Sequence, residues 1–179
     1  MKKTLSISFF FLLLLYGCWE KRAEPLKISN TVDYAIMPDQ ISWDVEVAFV
    51  DSSFTKAVLR ARRARVYQKR QETLLDSGVR VEFISRESNK VETVLTSDSA
   101  RIDDKTKNML AKGDVVVVSL TKNVRLETSA LNWDNRTQKL YSTEFVKIIS
   151  PRETIKGWGF ESDQHLSYYK IFKVSGEQK

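Results

Sequence analysis

Apolar and polar residues alternate along most of this chain with a period of two. Trp43, Val45, Val47 and Phe49 alternate with Asp44, Glu46 and Ala48, and Val79, Val81 and Phe83 alternate with Arg80 and Glu82. Neighbouring side chains of a strand point to opposite faces, so the pattern predicts half-buried antiparallel strands with one wet face. Val94, Thr96, Ala100 and Ile102 share one parity; Val124, Leu126, Thr128 and Ala130 share the equivalent one. Between such runs lie segments 103–108 and 134–138, dense in Asp, Asn, Lys and Thr. Their side chains bond nearby backbone and favour reversals.

The pattern also repeats. Residues 99–118 and 129–148 superpose without a gap at a spacing of 30: Ser-Ala opens both, Asp104 falls on Asp134, Leu110 on Leu140 and Val116 on Val146. A fainter copy lies at a spacing of 36, with Ala64 on Ala100, Leu74 on Leu110, and Val79 and Val81 on Val115 and Val117. Each copy reads strand, polar turn, strand. Such a unit cannot bury its apolar face alone and must stack on its own copies. One segment pulls the other way, because Phe54, Ala57, Val58, Ala61 and Ala64 fall at helical spacing. The repeat makes 58–67 a strand, and that reading is preferred. The expected fold is all-β, and parity gives the inward set as Val45, Val47, Phe49, Val79, Val81, Phe83, Val94, Val124, Leu126 and Ala130.

The first residues belong to a different pattern. Lys2 and Lys3 precede an apolar run over 5–16, and Leu15-Tyr16-Gly17-Cys18 resembles a lipobox, in which the cysteine is acylated before cleavage. The run is shorter than the roughly 20 residues that span a bilayer as a helix. Residues 1–17 are therefore read as a signal peptide, 18–40 as a lipidated N-terminus and tether, and 41–176 as one domain. Cys18 is the sole cysteine, which excludes a disulfide framework and a cysteine metal site. The 179 residues carry 29 basic and 23 acidic groups, a formal net charge of +6; without Lys2 and Lys3 it is +4.

Chemistry is sparse. His165 is the only histidine, no G-x-S-x-G elbow occurs, and the Asp103-Asp104 pair lies in a turn. Gly157-Trp158-Gly159 lacks a following phosphate-loop lysine and reads as the tight start of a strand. Catalysis, cofactors and metals are not expected. The basic run Arg60, Arg62, Arg63 and Arg65 invites a nucleic-acid reading, but an exported domain meets no nucleic acid. A solvated strand face is the simpler expectation, and contact with an anionic head group or an acidic partner the sharper one.

The stretch Ile155 to Asp163, IKGWGFESD, runs on to Leu166, Tyr169, Ile171 and Val174-Ser175-Gly176. Together with LETSALNW at 126–133 it resembles the LptC family of lipopolysaccharide-export bridge proteins, within the wider OstA-like group. The resemblance covers roughly 43–176. It implies an open, twisted β-jellyroll whose interior groove holds lipid acyl chains. An inner-membrane ABC transporter would load that groove, and a soluble periplasmic OstA-like protein would receive the lipid. The resemblance also implies partner domains joining by strand addition: Trp43, Val45, Val47 and Phe49 form the edge toward the transporter, Tyr168, Lys170, Phe172 and Val174 the edge toward the soluble bridge. The anchor departs from the family, since many members keep a transmembrane helix where this chain has Cys18. The implied location is the periplasmic face of the inner membrane.

Two other classes fit the pattern less fully. A structural lipoprotein adaptor would fill its interior and bind protein only. A closed lipocalin-like barrel would carry its Gly-x-Trp near the start of the domain, whereas Gly157-Trp158 lies near the end.

Overall fold

A computed structural model describes residues 36–178; Cys18, the signal segment and most of the tether lie outside the described residues. Ten antiparallel strands follow one another: β1 (Gln40–Asp51), β2 (Phe54–Tyr67), β3 (Glu72–Ile84), β4 (Val91–Ser97), β5 (Ser99–Asp103), β6 (Met109–Ser119), β7 (Val124–Asp134), β8 (Lys139–Ile149), β9 (Thr154–Asp163) and β10 (Tyr169–Gln178). Sequential strands pair along the sheet, and β4 and β5 share one place between β3 and β6, interrupted at Asp98. The helical spacing of Phe54 to Ala64 is overridden: this segment is the inner strand β2, paired on both sides. The all-β, strand-turn-strand expectation holds.

The turns show why the strands reverse where they do. Asp103 Oδ1 accepts the backbone N–H groups of Lys105 and Thr106 at 3.0 and 2.7 Å. Asp134 Oδ1 does the same for Arg136 and Thr137 at 2.8 and 2.9 Å. These bonds hold both carboxyls below the usual range, led in each case by the threonine N–H.

That equivalence corrects the register of the repeat. Asp103 matches Asp134, a spacing of 31 and not 30. At 31 the buried residues also coincide: Leu95 with Leu126, Ala100 with Leu131, Ile102 with Trp133, Met109 with Leu140, Val115 with Val146 and Val117 with Ile148. The identities at 30 place inward residues on outward ones, because a slip of one residue turns a strand over. The fainter spacing of 36 survives, with Ala64, Val79 and Val81 buried like Ala100, Val115 and Val117.

A row of bulges crosses the sheet. Pairing shifts at Ala61/Arg63, Lys112/Val115, Thr128/Asn132 and Ser142/Phe145. Left-handed residues mark the same row at Asp44, Ser77, Gly78, Gly113, Asp114 and Gly159. The interruption at Asp98 belongs to it, with Gly78 N–H donating to the Asp98 carbonyl and Asp98 N–H to the Gly113 carbonyl. Bulges bend strands and increase local twist, and here they fold one sheet into two layers along a spine. Each layer turns its apolar face inward, and the core lies between them. The free ends of the layers, carrying the hairpin turns, come together opposite the spine as a seam.

Candidate functional site

The interior gathers most of the residues whose parity points inward. Val79, Val81, Phe83, Val124 and Leu126 all point inward and are buried, Leu126 completely at 0%. Val45 and Phe49 are half-buried against this core, as are Tyr169 and Ile171 from the other end of the sheet. Val47 faces inward opposite Leu59, yet stays 42% exposed because β1 has no neighbour beyond it among the described residues.

Two members of the inward set are misplaced by parity. Val94 pairs with Glu82 and Val118 and stands on the outer face; Thr93 and Leu95 take the inward positions. Ala130 pairs with Lys112 on the outer face, and Leu131 points in. The cause is shared. The break at Asp98 and the bulge between Thr128 and Asn132 each reverse the alternation. Trp43 flips likewise: beyond the left-handed Asp44 it lies on the outside, 63% exposed, with the Arg63 guanidinium 5.6 Å from its ring centroid.

Between the layers lies an apolar cavity of about 30 Å³. One layer contributes Phe49, Leu59, Val81 and Phe83; the other contributes Ile102, Met109 and Trp133. Phe83 and Trp133 touch across it with ring centroids 5.4 Å apart. On the seam side the cavity is rimmed by Lys56, Lys107, Asn135 and Gln164. The seam itself is closed by few bonds. Lys56 Nζ donates to Asn135 Oδ1 at 3.3 Å, and His165 Nδ1 lies 3.4 Å from Thr93 Oγ1 and 3.6 Å from Glu92 Oε2. Leu166, in the same turn as His165, plugs the core beneath.

The outer faces have a different chemistry. Arg60 binds Glu46 and Glu82 at 2.8 and 2.7 Å, and Asp76 takes both Arg63 and Arg65 at 2.5 and 2.8 Å. The basic run is thus a ladder of ion pairs on a solvated face, with Arg62 outside it. Arg63, opposed by burial and helped by Arg65, holds the Asp76 carboxyl low; Arg60 and then Arg80 do so for Glu82. Among the described residues no group of three or more His, Cys, Asp or Glu stands together as a metal site, and no helix is long and apolar enough to cross a membrane.

Both outermost strands have a free edge. Among the described residues β1 is bonded only to β2, and β10 only to β9. Trp43, Val45, Val47 and Phe49 therefore lie on one edge strand, and Lys170, Phe172 and Val174 on the other, with exposed Tyr168 just before it. Gly157 and Gly159 shape the second edge. They sit in the middle of β9, not at its start. A Cβ on Gly157 would collide with the Lys173 carbonyl oxygen, and Gly159 takes φ +77° at the bulge, against Phe172. The sequence offered the glycines but not the close approach of β10 that requires them.

A folded antiparallel sheet with an apolar interior, a sparsely bonded seam and two open edges defines the LptA-like β-jellyroll class. A solved structure of this kind is LptH from Pseudomonas aeruginosa, the LptA-homologous periplasmic component of a lipopolysaccharide transport device. The two align with a TM-score of 0.52 and 13% identity, covering 65% of this chain and 82% of that one. The profile of the family "Lipopolysaccharide-assembly, LptC-related" matches residues 5–172, and the chain belongs to that family. Among curated proteins, none matches it.

Proposed function

We propose that this protein is a non-enzymatic segment of the lipopolysaccharide transport bridge. It takes the lipid's acyl chains between its two layers from an inner-membrane ABC transporter and passes them to a soluble periplasmic OstA-like protein. The observation that carries the reading is an apolar interior running between two strand edges unpaired among the described residues, in a member of a lipopolysaccharide-assembly family. Apolar burial contributes on the order of 25 cal/mol per Å², enough to hold several chains without a cofactor. Strand addition to β1 and β10 by domains of like fold would make that interior continuous. Acylated Cys18 would tether the domain at the periplasmic face of the inner membrane.

The cavity sets a condition on this reading. At about 30 Å³ it is far below the roughly 300–1,000 Å³ of ligand pockets. The layers must therefore part at the seam to admit a chain, hinged on the bulged spine. The tight interior also suits the adaptor that binds only proteins, so the two readings differ in what touches the core.

Photo-crosslinking in living cells separates them. A probe at Phe49, on the rim of the cavity, is expected to form a lipopolysaccharide adduct, while one at outward Val94 forms none. Protein adducts alone at Phe49 would leave the adaptor and end the carrier reading.

A further inference from the structure

Lys56 and Lys107 stand apart from the ion-paired arginines of the outer faces. Arg60, Arg63, Arg65, Arg80, Arg101 and Arg125 each meet a carboxylate within 4.0 Å; among the described residues neither Lys56 nor Lys107 does. The two lysines come from opposite layers, Lys56 from β2 and Lys107 from the turn between β5 and β6, and both rim the apolar cavity at the seam. Lys56 is half-buried, and its ammonium is held by one neutral acceptor, Asn135 Oδ1.

Asn135 is fixed by its own turn and by the neighbouring turn between β5 and β6. Its backbone N–H donates to Asn108 Oδ1 at 2.9 Å, its Nδ2 reaches the Thr106 carbonyl at 3.5 Å, and its carbonyl accepts from Gln138 Nε2 at 2.6 Å. The side-chain amide is thereby oriented with its oxygen toward Lys56. Parting the layers breaks this bond and leaves two unpaired ammonium groups at the mouth of an apolar slot. An amphiphile with its chains inside would place an anionic head group there. Charge-assisted bonds to phosphate are roughly twice as strong as neutral ones, and lysine binds phosphate as a compact charge.

We propose that Lys56 and Lys107 clamp a phosphate of the lipid head group at the seam, Lys56 exchanging Asn135 for the phosphate. The clamp rests on the carrier reading and assigns residues that recognise the head group as distinct from the chains.

The test uses the full chain in detergent, with a photo-crosslinker at Phe49 and two probes: bis-phosphorylated lipid A and the same lipid stripped of both phosphates. The unaltered chain should capture the phosphorylated lipid about tenfold better, as expected for charged hydrogen bonds worth about 1.4 kcal/mol in total. Lys56→Gln with Lys107→Gln should remove that preference, so that the variant captures both lipids equally, with an unchanged circular-dichroism spectrum reporting an intact fold. The pair Lys56→Arg and Lys107→Arg should retain the preference. Equal capture of both lipids by the unaltered chain, or a preference that survives the glutamine pair, would overturn the clamp and leave the carrier reading standing. Displacement of the phosphorylated lipid by excess inorganic phosphate would mean a free-phosphate site and also overturn it. Capture of neither lipid would remove the carrier reading itself.

Discussion

Phe83 and Trp133 meet with ring centroids 5.4 Å apart and planes tilted by 48°, although their strands, β3 and β7, are not neighbours in the sheet. They belong to opposite layers and lie just inside the seam. This pair closes the core beside the small cavity, so it controls both stability and access. Phe83 is 3% exposed, and truncation to alanine should cost about 3–5 kcal/mol. Urea unfolding of Phe83→Ala measures this, with Phe83→Leu losing much less. A loss near zero for the alanine variant would mean that the layers do not depend on this contact.

The turn equivalence makes a second prediction. Asp103 and Asp134 each accept two backbone N–H groups in the same geometry. Asp103→Ala and Asp134→Ala should therefore lower Tm alike, and each asparagine variant should recover part of the loss. Asp104 has another role, accepting from Thr73 Oγ1 at 2.9 Å. A repeat at a spacing of 30 would instead pair Asp104 with Asp134 in effect.

Acid should weaken the outer ladder. Arg63 holds the folded pKa of Asp76 below its ordinary 3.8, and Arg60 holds that of Glu82 below 4.5. A depressed folded pKa gives stabilisation that is complete above the unfolded value and lost as pH falls through the folded one. Stability should therefore drop as pH falls below about 4.5. Asp76→Asn should cost about 1 kcal/mol at neutral pH, with the gap to the unaltered protein closing in acid. A gap that is constant with pH, followed by chemical denaturation at several pH values, would contradict the ion-pair account.

Gly157 links the signature stretch to the free edge. A methyl group there would strike the Lys173 backbone, so Gly157→Ala should loosen β10 from β9 and leave the rest of the sheet intact. Hydrogen exchange should show faster exchange confined to residues 169–178. Uniformly faster exchange would make Gly157 a general stability residue.

Much of this architecture was legible in the chain. Period-two alternation found β1, β3 and β7, and the Asp-rich turns found two of the reversals between strands. The repeat also overruled the helical spacing around Ala57 and Ala61. Legibility failed at the spine. Ala130 and Val94 were assigned inward because alternation was carried across Ser129 and Asp98, where the backbone inserts extra residues and turns the strand over. A bulge leaves only a local trace in sequence; Ser77-Gly78 and Gly113-Asp114 show one, and 129–131 shows none. The seam was illegible for another reason. Lys56 and Asn135 are brought together only by the fold of the sheet, and no spacing along the chain encodes that contact.

To take acyl chains between them, the two layers must part at the seam. Pulsed electron–electron resonance tests it, with spin labels at exposed Ser53 and Arg136, on turns from opposite layers, and Cys18 replaced by serine. Adding lipopolysaccharide should lengthen the distance between the labels, while a pair within one layer, Ser53 and Arg86, should keep its distance. An unchanged Ser53–Arg136 distance under saturating lipid would contradict opening and the carrier role built on it.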